Sequence, residues 1–288
     1  MSELHILNVG RADCQVMLLD TQEGQRVIVI DAGSLYFQGR EPLLEFLEAR
    51  NIKTIDLAIL THLHQDHFGG FHQLIDRVRI QKIISPCGDL VFQENVYPIF
   101  GNPEFYREYH RIFQYLQKSG TELCLSNNCV GKSFTFGDHV LHCLYPQVNK
   151  PLMSVEYAKQ LCEESLQGDD LLRVLERHKA ACNDDSSIWY LESAGNPIAL
   201  FAGDSPDESM RQCTSRLTRP AVQKLSHHGI NSKYFSKETQ KAISPEFLVV
   251  SVDRSYYNKE MQILVNSLSN SGSSKVHYTF QGDFIYQF

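Results

Sequence analysis

The stretch of this chain that decides its fold is Thr61-His62-Leu63-His64-Gln65-Asp66-His67. It places three histidines and one carboxylate within six residues, directly after an apolar run at residues 55–60. Imidazole and carboxylate groups are the side chains that bind Zn²⁺ and similar divalent ions in proteins. Since a buried strand that delivers such a cluster needs a reason, the pattern predicts two metal sites side by side rather than a histidine-rich polar loop.

Further motifs accompany this cluster along the chain. They are Val9-Gly10-Arg11-Ala12-Asp13, Ile30-Asp31-Ala32-Gly33, Asn183-Asp184-Asp185-Ser186, Phe201-Ala202-Gly203-Asp204 and Leu225-Ser226-His227-His228-Gly229. The whole set resembles the metallo-β-lactamase fold superfamily, and within it the branch of ComEC/Rec2 hydrolase domains of DNA-uptake proteins and phosphorylcholine esterases. The resemblance implies one domain over residues 1–288, of α/β (α+β) class. Its architecture would be a four-layer αββα sandwich with a helical insertion at about 86–181 and metals where the two sheets meet.

The composition is ordinary for a soluble globular protein, with 288 residues, 42% hydrophobic and 21% charged. No segment approaches the run of about 20 apolar residues that a membrane helix needs. The N-terminal residues lack the basic and apolar parts of a signal peptide. We therefore expect a free-standing cytoplasmic protein of bacterial type that does not contact a membrane. Its eight cysteines, which form no C-x-x-C motif, are expected to be reduced.

The formal net charge is −7, and the chain contains no basic run. Proteins that bind long duplex DNA usually present a basic face, because neutralisation of phosphate dominates the affinity. The charge therefore argues against tight, autonomous binding of long nucleic acid. The charge is compatible with a small phosphodiester as the substrate, or with nucleic acid that a partner delivers.

Both ends of the chain alternate between short apolar runs and helical periodicity, which predicts layered α/β structure. In the first third, we predict strands at residues 4–9, 14–19, 26–30, 55–60 and 81–85, with helices at 41–50 and 68–78. In the last third, we predict strands at 187–191, 197–201, 221–225, 247–252, 276–280 and 284–288, with helices at 206–217 and 258–268.

The middle of the chain has a different pattern. Residues 107–118 and 154–181 are predicted to be helical, and the second of these is broken near Gly168. Residues 132–145 are predicted to form two strands around a turn at Gly137-Asp138. The segment 86–181 is either a lid or partner-docking surface over the metals, or a purely structural elaboration. The sequence does not decide between them.

The resemblance also implies a role for each candidate site residue. His62 and His64 would bind one metal, and Asp66, His67 and His228 would bind the other. Asp204 would bridge the two ions. Asp66 and His227 would act in catalysis, with His227 facing the substrate to stabilise phosphate charge or to protonate the leaving group. An exchange of roles between His227 and His228 stays open.

This chain departs from many of those relatives in the ligands of the first metal. Relatives carry another histidine before the bridging aspartate, whereas this chain has Asn183-Asp184-Asp185-Ser186 there. Asp184, or less favourably Asp185, could reach that metal or bind the substrate. Asp31 is expected to orient a metal-binding histidine from behind, as carboxylates commonly do. Asp13 either lies near the same face or caps a turn.

The leading functional hypothesis is a metal-dependent hydrolase, and specifically a phosphodiesterase or nuclease that uses two Zn²⁺ or Mn²⁺ ions. A metal-bound hydroxide would attack phosphorus, with DNA or RNA as the favoured substrate and a cyclic nucleotide or small phosphoester next. Gln65 stands where flavodiiron relatives carry an iron-binding glutamate, so redox chemistry is not expected. The alternative is a regulatory or partner-docking subunit with structural metals, which would engage a protein partner through residues 86–181.

Overall fold

Two seven-stranded sheets form the frame of the protein. This computed structural model describes residues 1–35, 37–97, 103–147, 150–163, 165–230, 232–272 and 274–288, with the side chains of 103–105, 232 and 272 excepted. Parts of the segment predicted as an insertion, residues 98–102, 148–149 and 164, therefore lie outside the described residues.

The first sheet has the strand order β14-β1-β2-β3-β4-β5-β6. Its strands are β1 (Glu3–Ile6), β2 (Cys14–Thr21), β3 (Gly24–Ala32), β4 (Thr54–Ile59), β5 (Arg79–Ser85), β6 (Glu122–Leu125) and β14 (Phe284–Gln287). Strands β14, β1, β2 and β3 pair antiparallel, whereas β3, β4, β5 and β6 run parallel.

The second sheet has the order β13-β12-β11-β10-β9-β8-β7. Its strands are β7 (Ser133–Phe136), β8 (His139–Tyr145), β9 (Ile188–Ser193), β10 (Asn196–Phe201), β11 (Val222–Lys224), β12 (Phe247–Val250) and β13 (Lys275–Tyr278). Strands β7 to β10 pair antiparallel, whereas β10 to β13 run parallel.

Strand β3 shows how the layers are packed. Ile28 and Ile30 contribute to the core between the two sheets, and Val27 and Val29 to the core on the opposite face. Because successive side chains of a strand point to opposite faces, a strand covered on both sides is a continuous apolar run. The four residues are at most 5% exposed, and each buried aliphatic side chain of this kind stabilises the fold by about 1.5–3 kcal/mol.

Eight helices are found among the described residues. They are α1 (Pro42–Ala49), α2 (Gln65–Phe68), α3 (Pro103–Lys118), α4 (Met153–Leu161), α5 (Gly168–Asp184), α6 (Asp207–Cys213), α7 (Lys237–Ile243) and α8 (Lys259–Gly272). Helices α1, α3, α4 and α5 cover the outer face of the first sheet, and α6, α7 and α8 cover that of the second. The four-layer αββα prediction is confirmed.

The predicted helix at 68–78 is wrong in its bounds and type. The single α-turn of α2 begins earlier, at Gln65, and a 3-10 helix follows at Gly69–Leu74. Two adjacent glycines disfavour a regular α-helix. They also allow the chain to pass very close to the end of β3, because a Cβ at Gly70 would lie 1.9 Å from the backbone oxygen of Ala32.

The segment 86–181 is built into the fold. Strand β6 extends the first sheet, β7 and β8 extend the second, and apolar side chains of α3, α4 and α5 share one core with the outer face of the first sheet. Much of this segment therefore has a structural role. Among the described residues, no helix has the length and apolar character that crossing a bilayer requires.

The close approach at Gly70 leads to a stability prediction. We expect Gly70→Ala to lower the free energy of unfolding by about 2 kcal/mol or more, because the added methyl group meets rigid backbone. Gly88→Ala is the matched control, since its Cβ would meet only the tip of the Leu123 side chain, at 3.3 Å. Urea unfolding of the metal-free variants measures both, and an equal loss in the two would contradict this account.

Candidate metal centre

The predicted site residues meet at one edge of the two sheets. Asp31 lies near the carboxyl end of β3, His62 follows β4, Asp204 follows β10 and His228 follows β11. These four strands belong to the parallel parts of the sheets, whose carboxyl ends face the same way. In open α/β folds, that edge is where ligands bind.

Asp204 lies between two sets of ligand atoms. His62, His64 and Asp204 offer ligand atoms within 4.8 Å of one another, and so do Asp66, His67, Asp204 and His228. The Oδ2 atom of Asp204 lies 3.8 Å from Nε2 of His62. Its Oδ1 atom lies 3.4 Å from Nε2 of His67 and 3.7 Å from Nε2 of His228. One carboxylate thus presents a separate oxygen to each set, which is the geometry of a bridging ligand.

Several of these atoms are buried and have no hydrogen-bond partner among the described residues. They are Nε2 of His62, Nε2 of His67 and Oδ1 of Asp204. Buried polar atoms are nearly always hydrogen-bonded, so converging atoms without partners need an explanation. A divalent cation satisfies nitrogen and carboxylate lone pairs together, so these residues fit two such ions.

The carboxylates of the cluster are held ionised. Burial by itself raises the pKa of Asp204, but His228, His67 and His62 outweigh burial and hold it well below its usual range. Burial likewise opposes the low pKa of Asp66, which His67 and His228 impose. The carboxylates and the charged histidines therefore compensate one another in a buried position, and divalent cations bound there would take over that compensation.

The histidines divide into two groups. Burial lowers the pKa of His67, yet Asp204, Asp31 and Asp66 hold it well above its usual value. In the same way, Asp204 and Asp13 overcome burial to raise the pKa of His228 to about 9. At His62, burial prevails, with His67 and His64 adding to it, and the pKa is lowered. Metal ions bound by this cluster would therefore displace protons from His67 and His228.

Asp31 orients His67. Its Oδ2 atom accepts a hydrogen bond from Nδ1 of His67 at 2.7 Å, and both the backbone N–H and the hydroxyl of Thr61 donate to its carboxylate at 2.8 Å. The ring is thereby fixed with Nε2 toward Asp204. The contact agrees with the supporting role that the sequence predicts for Asp31.

Asp13 lies behind His228 in a similar position, although without a hydrogen bond to its ring among the described residues. Its Oδ1 atom lies 3.3 Å from Nδ1 of His228, and its Oδ2 atom forms an ion pair with Lys224. Lys224 is only 1% exposed and also donates to the backbone oxygen of Gly203 at 3.3 Å. The sequence motifs assign no role to Lys224. The signal that could have revealed one is its position at the end of a buried strand, just before His227-His228.

His64 is oriented by helix α5. Its Nε2 atom donates to the backbone oxygen of Lys179 at 3.1 Å, which leaves Nδ1 as the ring atom that can bind a metal. The segment 86–181 thus contributes directly to the position of a predicted ligand. Spacing within the His62–His67 cluster does not reveal this contact, because Lys179 lies more than a hundred residues away.

Ser186 links the two ligand sets. The backbone N–H of Asp204 donates to its Oγ atom at 3.0 Å, and that atom lies 3.4 Å from Nδ1 of His62. Gly203 has a left-handed φ of +49°, and a Cβ there would lie 2.3 Å from this hydroxyl. Glycine is therefore required for the chain to approach Ser186 so closely.

The structure does not bring Asp184 to the cluster. Its side chain is 55% exposed and lies 3.5 Å from the ammonium group of Lys233, while Asp185 accepts a hydrogen bond from the backbone of Ser154. The reason is the geometry of the end of α5, where residues three apart share a face. Asn183 and Ser186 point inward, so Asp184 and Asp185 point elsewhere. The prediction of a ligand role for Asp184 is not supported.

His227 and His228 adopt left-handed conformations, with φ of 47° and 54°. The two residues therefore do not continue the preceding strand, and their side chains diverge. His228 lies in the second ligand set, and His227 lies outside both sets with its side chain 18% exposed. The centre of the His227 ring lies 3.9 Å from that of Tyr234 with the ring planes tilted by 38°, and burial lowers the pKa of His227 to about 4. The geometry favours His228 as the metal ligand and His227 as the residue that faces the substrate, rather than the exchanged roles.

A family model described as the metallo-beta-lactamase superfamily matches residues 9–205, and this chain belongs to that superfamily. The chain is 28% identical over 99 residues to the ComE operon protein 3 of Bacillus subtilis (strain 168), covering 30% of this chain and 13% of that protein. It is 38% identical over 74 residues to a hydroxyacylglutathione hydrolase of Serratia proteamaculans (strain 568), covering 26% and 27%. The chain thus spans under a third of either relative.

Solved structures share the fold over the whole chain. Igni18, a metallo hydrolase from the archaeon Ignicoccus hospitalis KIN4/I, matches with a TM-score of 0.55 and 15% identity over 100% of both chains. A diphosphatase from the PhnP family matches with a TM-score of 0.51 and 10% identity, over 100% of this chain and 98% of that one. Identities this low show the fold alone, whereas the family model over residues 9–205 confirms the predicted superfamily.

The ion pair between Lys224 and Asp13 leads to a second prediction. We expect Lys224→Met to lower the free energy of unfolding of the metal-free protein by about 3–5 kcal/mol, because Asp13 is left buried and uncompensated. Adding Asp13→Asn should restore part of that loss. Chemical unfolding in the presence of a chelator measures the double-mutant cycle, and strictly additive effects would show that the two residues are not coupled.

Proposed function

We propose that this chain is a metal-dependent hydrolase that cleaves phosphodiesters. The observation that carries the proposal is the position of Asp204, whose two carboxylate oxygens face two separate ligand sets at an accessible sheet edge. A structural metal site needs four protein ligands and no open side. Here one side of the centre is left for a substrate. Asp204 is shared between the two sets, His227 lies outside them, and Asp66 is partly exposed.

The ligands would be divided between two ions. His62, His64 and Asp204 would hold one, and Asp66, His67, His228 and Asp204 would hold the other. When bound, such ions activate water and stabilise the charge that develops on a phosphate. Zn²⁺ suits this mixed imidazole and carboxylate set. Mn²⁺, which favours oxygen ligands, is less well matched now that Asp184 lies outside the cluster.

His227 would contact the substrate. It lies outside both ligand sets, its Nε2 atom is 3.7 Å from Oδ2 of Asp204, and its ring packs against the tilted ring of Tyr234. The Tyr234 hydroxyl in turn accepts a hydrogen bond from the Asn183 amide at 2.9 Å. A ring held beside the bridging carboxylate is placed to donate a hydrogen bond to a phosphate oxygen, and the lowered pKa of His227 makes this role a better match than supplying a proton to the leaving oxygen.

Asp66 belongs to the second ligand set and is also partly exposed. Its Oδ2 atom lies 3.1 Å from Nε2 of His228, within the second ligand set. Its side chain is also 24% exposed, whereas that of Asp204 is 2% exposed. It is thus the carboxylate of that set that faces outward, and we assign it to both metal binding and the handling of the attacking water.

DNA or RNA is the substrate class that the ComEC/Rec2-like motifs favour, with cyclic nucleotides and small phosphoesters next. The net charge of −7 makes short or single-stranded nucleic acid a better match than long duplex DNA, since duplex affinity depends on phosphate neutralisation. A cytoplasmic location accords with this substrate. A protein partner that docks on residues 86–181 could deliver the nucleic acid.

The alternative of a partner-docking subunit is favoured by one observation. Large apolar side chains are exposed on the segment 86–181, namely Val91, Leu123, Met153 and Leu172, each more than 40% exposed. Such side chains are common singly on protein surfaces, so they are weaker support than the ligand geometry. Turnover of bis(p-nitrophenyl) phosphate by the metal-loaded protein distinguishes an enzyme from a docking subunit.

The proposal is tested with single-stranded DNA, duplex DNA, RNA, cyclic nucleotides and a hydroxyacylglutathione thioester, each with added Zn²⁺ or Mn²⁺. We expect a phosphodiester to be cleaved, and Asp204→Ala to reduce its turnover at least about 100-fold, because loss of a supporting residue alone costs 10–100-fold. Asp184→Ala is the matched control, a nearby carboxylate outside the cluster, and should retain activity. Cleavage of the thioester alone would overturn the proposal.

Metal content provides an independent test. We expect two divalent ions per chain in the wild-type protein and at most about one in Asp204→Asn, since the amide keeps the shape of the bridging group but loses its charge. Equilibrium dialysis followed by elemental analysis measures both proteins. Unchanged stoichiometry in the variant would show that Asp204 does not bridge two ions.

A further inference from the structure

The ring of His227 is held differently from the other histidine rings of the centre. One ring nitrogen of His67 donates a hydrogen bond to Asp31 at 2.7 Å. Among the described residues, no such bond is found for His227, whose Nδ1 atom is buried without a partner. Its Nε2 atom lies 3.7 Å from Oδ2 of Asp204, which is beyond hydrogen-bond distance. The orientation of the His227 ring therefore depends on packing.

Tyr234 provides that packing. The centres of the two rings lie 3.9 Å apart, and the ring planes are tilted by 38°. Tyr234 ends a 3-10 turn at Ser232–Tyr234, and its side chain is buried in the apolar core on the outer face of the second sheet. An imidazole in contact with a buried aromatic ring can turn only if that ring also moves. The position of His227 therefore follows from that of Tyr234.

The end of helix α5 fixes Tyr234 in turn. Asn183 is buried in the last turn of this helix, and its Nδ2 atom donates to the Tyr234 hydroxyl at 2.9 Å. The Oδ1 atom of the same amide is buried without a donor among the described residues. A buried amide with an unsatisfied atom costs stability, so stability alone does not account for an asparagine here. Its contact with the tyrosine hydroxyl does.

The contact joins parts of the site that are far apart in the chain. Helix α5 packs on the first sheet, whereas His227 and Tyr234 follow strand β11 of the second sheet. Asn183 begins the motif at residues 183–186, and Ser186 at its other end accepts a hydrogen bond from the backbone N–H of Asp204. One short segment thus supports both the bridging carboxylate and the histidine that faces the substrate.

We propose that Tyr234 and Asn183 are positioning residues for His227. The amide holds the tyrosine hydroxyl, the tyrosine ring holds the imidazole, and the imidazole keeps its Nε2 atom beside Asp204, on the side left for a substrate. Neither positioning residue belongs to the two ligand sets, so both act through His227. The inference rests on the proposed function for the role of His227 and adds the residues that set its geometry.

Two substitutions break these contacts with little change in volume. Tyr234→Phe removes the hydroxyl and keeps the ring, and Asn183→Leu removes the amide and keeps the size of the side chain. With the metal-loaded protein and bis(p-nitrophenyl) phosphate, we expect each to lower kcat about tenfold and to leave KM within about threefold. The reason is that a misplaced donor loses its contact with the charge that develops on the phosphate, whereas binding of the ground state changes little.

A double-mutant cycle distinguishes positioning from a general weakening of the fold. His227→Ala should lower kcat about 100-fold, as expected when a donor to the transition state is removed, and adding Tyr234→Phe should lower it no further. Tyr190→Phe is the matched control. It removes a buried tyrosine hydroxyl on the outer face of the second sheet, 2.7 Å from Oγ1 of Thr218, and should keep the wild-type kcat. Unfolding curves check that each variant is folded.

The position of the ring is also measured without catalysis. In metal-free protein with ¹³C-labelled histidine, the NMR signals of the His227 ring are those that His227→Ala lacks. We expect them to be shifted upfield in the wild-type protein, because the Tyr234 ring shields the protons packed against it. Tyr234→Phe and Asn183→Leu should both reduce that shift or broaden the signals, and Tyr190→Phe should leave them unchanged.

The outcomes separate this inference from the proposed function. The positioning role is overturned, and the phosphodiesterase left intact, by wild-type kcat in Tyr234→Phe and Asn183→Leu, by an equal loss in Tyr190→Phe, or by a loss that adds fully to that of His227→Ala. Failure of the wild-type protein to cleave any phosphodiester would count against the phosphodiesterase. The His227 spectra then decide: signals unchanged in both variants refute the positioning of the ring, and a change common to both supports it.

Discussion

The arrangement of the whole site depends on one buried carboxylate, that of Asp204. Asp204 is 1% exposed and ionised, and a buried charge is stable only when opposite charges surround it. The two sheets meet that demand at their common edge. One supplies His62 and His67 after β4, and the other supplies Asp204 after β10 and His228 after β11. The centre therefore exists only when both sheets are formed and packed together.

The residues behind the ligands extend this requirement for compensating charge beyond Asp204. His67 is backed by Asp31, which is fixed by Thr61, and His228 is backed by Asp13, which is paired with Lys224. In each case a buried carboxylate lies beside one ring nitrogen, hydrogen-bonded at 2.7 Å for His67 and 3.3 Å away for His228, while the other nitrogen faces Asp204. Because every member is buried, the ring orientations are determined by packing and do not depend on the arrival of a ligand.

The segment 86–181 links the fold to the site. Its strands complete both sheets, and its helix α5 supplies the backbone oxygen of Lys179 that orients His64, while the end of the same helix places Ser186 between His62 and Asp204.

The sequence by itself predicted the superfamily, the four-layer fold and the five residues that meet around Asp204, because its motifs, in their order along the chain, resemble those of that family. It did not determine the 3-10 helix after Phe68, the outward direction of Asp184, or the partners of Lys224 and His64. Those depend on contacts between segments far apart in the chain. Only the tertiary structure, in which the packing of two sheets sets each side chain's neighbours, decided them.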